Sequence, residues 1–287
     1  MPQSHDRGGR DRLSAVIHFL GDLLGDVIQT QAGQDAFASE ELVRRLSKNL
    51  RVHPTPARVR ELQQHIATRD IADLNNLVKS FSTYFALVNL SEQLQRMWVL
   101  SERERQMRRA HHTRSESVAE AIHTIAQHGV TAQDIEAWMT NACIRPVFTA
   151  HPTEARRRTI LEKLRRLATL LDPVGHDLSL MDDPIVVAQA REEIVGLWQS
   201  DDVRVVRPTV IDEVKNGLYY FEHSIVRLIP TLYRELEHAL QTEYPDHQWR
   251  VPALLRFGSW MGGDRDGNPF VRPETTIEAT RLMRAAA

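Results

Sequence analysis

Cysteine is almost absent from this sequence. Cys143 is the one cysteine in 287 residues, which excludes a disulfide framework and any metal site built on several thiolates. Charge of one sign is missing as well. Lys and Arg total 36 against 38 Asp and Glu, a formal net charge of −2, whereas a general nucleic-acid-binding protein is expected to be more basic. No apolar run approaches the roughly 18 residues needed to span a bilayer. The polar start, Met1 to Arg10, lacks the apolar core of a signal peptide. The default expectation is a soluble cytoplasmic protein. What is present supports a packed core: 42% hydrophobic and 26% charged residues exclude disorder as the main state. The length suits one large domain or two ordinary ones.

The first 140 residues read as successive helices. Leu13, Val16, Ile17, Leu20, Leu23, Leu24, Val27 and Ile28 mark one apolar face. Ile71, Leu74, Leu77, Val78, Phe81, Tyr84, Phe85 and Val88 mark another, running on through Leu94 and Trp98. Pro56 suits the first turn of a helix between them. Glu102 to Arg114 is charged and reads as a solvated helix end and loop. Ser115 and Thr131 are candidate N-caps for two short helices ending near Gly129 and Asn141. At Ile144 the texture changes. The β-branched, apolar run 144–150 predicts a buried strand, with Cys143 a small buried residue beside it. Helices are expected over Ala155–Leu171, Pro184–Gln199 and Pro208–Thr242, a second strand over 253–260, and a last helix from Pro273. Two strands separated by so long a helical excursion are expected to pair in parallel.

Three stretches could carry chemistry. In Thr149-Ala150-His151-Pro152-Thr153-Glu154, a histidine follows a strand end, where α/β folds place catalytic groups. Its imidazole can exchange protons near neutral pH. The bland alternative is a core histidine capping the strand. Arg156, Arg157 and Arg158, then Lys163, Arg165 and Arg166, fall in the first turns of a helix. Free N–H groups there favour anions, and arginine adds a fork that fits phosphate or carboxylate. A solvated basic face is the bland alternative, yet cations at a helix start oppose its dipole. The third stretch is Gly258 to Pro269. Gly262 and Gly263 permit close backbone approach, Asp266-Gly267-Asn268-Pro269 is turn chemistry, and Asp264, Arg265 and Asp266 could form a charged network. It is no calcium loop, because the EF-hand glycine and glutamate would fall on Pro269 and Thr275. No Gly-Lys-Ser/Thr follows to make a P-loop, and no His-Glu-x-x-His occurs anywhere in the chain. The five tryptophans read as packing residues.

Taken together, the blocks resemble a known family. Phe148-Thr149-Ala150-His151-Pro152-Thr153-Glu154 with Arg157-Arg158 resembles the first signature of phosphoenolpyruvate carboxylases. Gly262-Gly263-Asp264-Arg265-Asp266-Gly267-Asn268-Pro269 resembles a second block. Pro208-Thr209, Asp212-Glu213 and Asn216-Gly217-Leu218-Tyr219-Tyr220-Phe221 are similar to a third between them. Order and spacing agree, and the resemblance covers nearly the whole chain.

The resemblance implies a mainly α fold: an N-terminal helical region, 1–143, and the first two strands of a helix-rich (β/α)8 barrel within 144–287, the barrel incomplete in this chain. It implies carboxylation of phosphoenolpyruvate with bicarbonate to oxaloacetate and phosphate, an anaplerotic carbon fixation, in a cytoplasmic, allosteric homotetramer. The cofactor implied is Mg2+, with ligands expected in a C-terminal part beyond this sequence. In the implied route bicarbonate attacks the phosphate, carboxyphosphate releases carbon dioxide, and the enolate captures it. His151 corresponds to the family's catalytic histidine, a base on carboxyphosphate. Arg157 and Arg158 correspond to arginines associated with activator binding, with sugar phosphates or acidic metabolites as effectors. Thr149, Pro152, Thr153 and the residues Gly262 to Asn268 support the motifs. No nucleic acid or membrane is expected as a partner. Because family members run far longer, the chain reads as the N-terminal third of an enzyme. Two other readings stay open: a histidine phosphotransfer module using His151, and a non-catalytic helical scaffold binding an anionic metabolite through Arg156 to Arg166.

Overall fold

The structure, a computed structural model, describes residues 4–109, 114–149, 157–200 and 208–287. In chain order it contains α1 (Ser4–Ala32), α2 (Gln34–Val52), α3 (Pro56–Ala67), α4 (Ile71–Arg109), α5 (Val118–Gln127), α6 (Ala132–Asn141), β1 (Val147–Phe148), α7 (Arg158–Leu171), α8 (Pro184–Gln199), α9 (Val210–Tyr220), α10 (Val226–Glu243), β2 (Gly258–Ser259) and α11 (Pro273–Ala286). The fold is mainly helical, as the sequence leads one to expect. It divides into two compact units, each discontinuous in sequence: Met1–Glu102 with Arg156–Val203, and Arg103–Ala155 with Arg204–Ala287.

The first unit is a helical core. The α1 stripe is buried as its periodicity predicts, from Val16 and Leu20 to Val27 and Ile28, and meets Leu87, Leu90, Leu94 and Trp98 of α4, Leu167 and Leu171 of α7, and Ile194 and Trp198 of α8. The face of α4 differs from the expectation. Its buried stripe is Leu77, Ser80, Thr83, Leu87, Leu90, Ser91, Leu94 and Trp98, while Ile71, Val78 and Phe85 are exposed. Apolar periodicity misses this face because small hydroxyl residues line part of it. Ser80 and Ser91 donate to the carbonyls of Asn76 and Leu87, four residues back, at 2.7 and 2.9 Å, so their burial leaves no unpaired polar group. The helix also runs on to Arg109, through residues expected to leave it. Glu, Arg, Gln and Met are strong helix formers, and extending an existing helix is far easier than starting one.

Trp98, 2% exposed, is tied down on several sides. Its indole N–H donates to Asp172 at 3.2 Å. The Arg12 guanidinium lies 5.4 Å over the ring and also donates to the carbonyl of Gly175 at 2.9 Å. Gly175 packs so closely under the indole that a Cβ there would overlap the ring.

In the second unit, α5 and α6 begin at Ser117 and Thr131. Ser117 accepts from the N–H of Glu120 at 3.1 Å, so the cap lies two residues past the expected Ser115. Thr131 and Asp134 form a reciprocal capping box. Ile122, Ile135 and Met139 pack with Ala239, Leu240 and Leu254. The helix expected over Pro208–Thr242 is interrupted by a π turn, Phe221–Ile225. Pro230 follows within α10, where it deprives the Val226 carbonyl of its helical donor. The strands expected over 144–150 and 253–260 shrink to β1 and β2, paired in parallel. Nor is the first strand buried: Ile144 and Val147 are about half exposed, and Cys143 is exposed. A two-stranded sheet has open edges on both sides. The described residues therefore contain no closed barrel.

The Trp98 contact makes two glycine substitutions differ in sign. Gly175→Ala should destabilise the chain by about 1–3 kcal/mol, the usual cost of overpacking. Gly21→Ala, inside α1 with only an ordinary 3.9 Å contact to Tyr84, should stabilise it by roughly 0.5–1 kcal/mol through helix propensity. Urea denaturation of the two variants checks both, and equal shifts would contradict the packing.

Candidate functional site

The site grows from the pairing of β1 with β2. Ile144 N–H donates to the Leu254 carbonyl at 2.8 Å, and Arg256, Gly258 and Trp260 donate to the carbonyls of Ile144, Pro146 and Phe148 at 3.0, 2.9 and 2.8 Å. In an evenly spaced parallel ladder the next donor on β1 would sit at position 146. Pro146 has no N–H, so the pairing divides into an isolated bridge, Ile144 to Leu255, and the register Val147 to Gly258 and Phe148 to Ser259. Behind the strands, Phe148, Phe221 and Phe257 form a ring cluster with centroids 5.2–6.1 Å apart.

Parallel strands put both C-terminal ends at one edge. Thr149 leaves β1 there, and Trp260 to Asn268 leave β2 beside it. A cavity of about 280 Å³ opens at this edge, lined by Thr149, Glu213, Trp260, Gly262, Asp264 and Asn268 among others. Thr149 of the first block and the loop of the Gly262–Pro269 block thus meet across the strand ends. The block after Pro208 joins them because the Thr209–Asp212 capping box starts α9 with Glu213 in its first turn. A second cavity of about 460 Å³ shares Val210, Glu213 and Asn268 and is bounded by Thr209, Phe270 and Arg272.

The loop after β2 is held by its own short residues. Gly263 and Asp264 donate N–H bonds to the Trp260 carbonyl at 3.0 and 3.2 Å, and Val271 donates to Asn268 at 3.0 Å. Gly262 has φ 74°, and a Cβ there would come within 2.5 Å of the Ala279 methyl. Only glycine lets the turn lie against α11, where Met261, Val214 and Ala279 make a small core. Gly267 donates to Asp264 at 3.4 Å, and the Asn268 side chain accepts from Phe270 N–H at 3.0 Å. The charged network expected of Asp264, Arg265 and Asp266 takes a different form. Arg265 reaches Thr276 on α11 at 3.3 Å. The two carboxyls lie close enough to interact, and the interaction raises the Asp264 pKa and lowers that of Asp266.

His151, Pro152 and Thr153 lie outside the described residues, as does Arg156. Arg157 is the N-cap of α7 and Arg158 its first residue. Arg158 pairs with Glu162 at 2.9 Å and holds that carboxyl below the usual carboxylate range. Glu193 faces both Lys163 and Arg166, at 3.7 and 3.4 Å. Much of the basic run is therefore matched by acids. Among the described residues no cluster of three or more His, Cys, Asp or Glu could hold a metal ion, and no helix is long and apolar enough to cross a membrane. Trp98 and Trp198 are packing residues as expected, whereas Trp138 and Trp260 are more than half exposed. Sequence reasoning did not single out Glu213 or Trp260 as site residues. The first-turn position after the capping Asp212, and the last position of a strand, were the available signals.

Comparison with known proteins gives this geometry a context. The sequence profile of the phosphoenolpyruvate carboxylase family matches residues 13–287. A phosphoenolpyruvate carboxylase of Roseiflexus castenholzii is 57% identical over 277 residues, which are 96% of this chain and 29% of the relative. Those of Thermus sp. and Rhodothermus marinus are each 36% identical over 277 residues, 96% of this chain and 31% and 29% of the relatives. The chain spans just under a third of the length of the relatives it matches. With all three cavity-forming blocks inside the matched span, the chain belongs to the phosphoenolpyruvate carboxylase family.

Proposed function

We propose that this chain forms part of an enzyme that carboxylates phosphoenolpyruvate with bicarbonate, giving oxaloacetate and phosphate. The observation that carries the reading is the convergence of Thr149, Glu213 and the Gly262–Asn268 loop on one cavity at the ends of two parallel strands. In α/β folds that end of a sheet is where ligands bind and catalytic groups project. Family membership supplies the reaction. His151, two residues beyond Thr149, is proposed as its base. A neutral imidazole takes the proton of carboxyphosphate, the C–O bond breaks to give carbon dioxide and phosphate, and the enolate carbon attacks the carbon dioxide. The imidazolium left behind stabilises the departing phosphate. Thr149 and the loop around Gly262 position this chemistry.

The reaction is proposed to need a divalent metal, magnesium. The described residues do not fit one. Among the described residues no three His, Cys, Asp or Glu side chains come together as a metal would need, so no step is assigned to a metal in this chain. The eight-stranded barrel, the cytoplasmic location, the homotetramer and the functional division into 1–143 and 144–287 belong to the same proposal. So does a role for Arg157 and Arg158 in binding an anionic effector such as a sugar phosphate. That role is favoured by their place at the first turn of α7, where the positive end of the helix dipole adds to the guanidinium charge.

Four measurements test the proposal. The 287-residue chain alone, supplied with phosphoenolpyruvate, bicarbonate and magnesium, should form no oxaloacetate. Turnover near the common range of about 1–10³ per second would overturn the view that this part alone is insufficient. A chimera in which the chain replaces the 277 residues it aligns with in the Roseiflexus castenholzii protein should be active. His151→Asn in that chimera should abolish oxaloacetate formation while bicarbonate-dependent cleavage of phosphoenolpyruvate persists. Full oxaloacetate production by that variant would refute the role. In the same chimera, Arg157→Gln with Arg158→Gln should weaken activation by sugar phosphates and leave maximal turnover near normal. Lost turnover with intact activation would place both arginines in the active site instead.

A further inference from the structure

Away from the motif cavity, the first unit carries a groove of about 540 Å³ formed by α7, the turn that follows it and α8. Its volume lies in the range of small-molecule sites, and its lining has two kinds of surface. Leu170, Pro173, Leu180 and Val186 offer an apolar floor, and Arg165 and Arg166 border it. The electrostatics around those arginines are unbalanced. Among the described residues, Arg158, Lys163, Arg165 and Arg166 share two carboxylates, Glu193 beside Lys163 and Arg166 and Glu162, which pairs with Arg158 and feels Arg165 and Arg166 from further away. The Arg165 guanidinium has no ion-pair partner among the described residues, and the residue is exposed. Excess positive charge therefore borders apolar surface that packing leaves open.

Neither feature would hold a ligand alone. An inorganic anion meeting exposed guanidinium groups in water gains little. A purely apolar molecule would cover the floor and gain nothing from the arginines. A molecule with an anionic head and a compact apolar tail satisfies both, because the tail removes floor and arginine stems from water while the head takes the guanidinium fork. We propose that this groove binds an amphipathic anion, a phosphate monoester or carboxylate carried on a short apolar chain. The groove lies wholly within the first unit, and its ligand does not depend on the carboxylase reading.

Isothermal titration of the 287-residue chain tests this with octyl phosphate, octanoate, inorganic phosphate and 1-octanol, the amphiphiles kept below micelle-forming concentration. At least one of octyl phosphate and octanoate should bind at a single site, and the stronger of the two identifies the head group. Inorganic phosphate and octanol should bind at least tenfold more weakly. Arg165→Gln should weaken the amphiphile about tenfold, the worth of one charge-assisted hydrogen bond, and added salt should weaken it as well. Leu180→Glu should abolish binding by placing a carboxylate on the floor. The substitution at Arg165 changes an exposed side chain, so its result decides even if the Leu180 variant fails to fold. Unchanged affinity in Arg165→Gln, equal binding of phosphate or octanol, or no binding of either amphiphile at millimolar concentration would each overturn the proposal.

Discussion

The parallel register between β1 and β2 governs the candidate site. Two backbone bonds, Gly258 to Pro146 and Trp260 to Phe148, determine that residue 149 and the loop after 260 leave the sheet side by side. A shift of one residue would turn every side chain on one strand to the other face, moving Phe148 out of its cluster with Phe221 and Phe257. An antiparallel pairing would send the two blocks to opposite ends. More than a hundred residues separate the strands, so the helices of that excursion serve in part to bring β2 back in the same direction.

The two units stabilise themselves by different means. The first is a continuous apolar core in which Trp98 acts as a node, bonded at its N–H, covered by Arg12 and packed on Gly175. Its other close approaches use hydroxyl side chains that satisfy themselves within α4. The second has smaller clusters and depends more on local devices: capping boxes at Thr131 and Thr209, and a glycine turn at 262. A site made of turns and strand ends needs such devices, because loops without a large core are otherwise the least stable parts of a fold.

The charges of α7 show how a basic run divides its work. Arg158 and Arg166 have acidic partners on α7 and α8, which is the ordinary fate of surface cations. Arg165 lies between those pairs in sequence, has no ion pair within 4 Å among the described residues, and borders apolar surface together with Arg166. Residues seven apart on a helix nearly share a direction whereas neighbours point about 100° apart, so a run of like residues divides between ion pairs and open surface.

The sequence by itself determined the helices and the identity of the chemistry-bearing blocks. Pro184 starts α8 and Pro273 starts α11, because proline is favoured in a helix's first turn, and the α1 stripe is read directly from its period. The conjunction of motifs around His151 and Asp264 pointed to the family that comparison then showed. Other features were decided only by tertiary structure, since they depend on partners remote in sequence. Which face of α4 is buried turned on self-satisfied serines. The length of β1 turned on Pro146 and on having a single sheet neighbour, which left Ile144 and Val147 in solvent. Glu213 joined the cavity because α9 packs beside the loop that Gly262 folds against α11. Periodicity and capping are local and can be read along the chain, but a cavity exists only between segments that folding brings together.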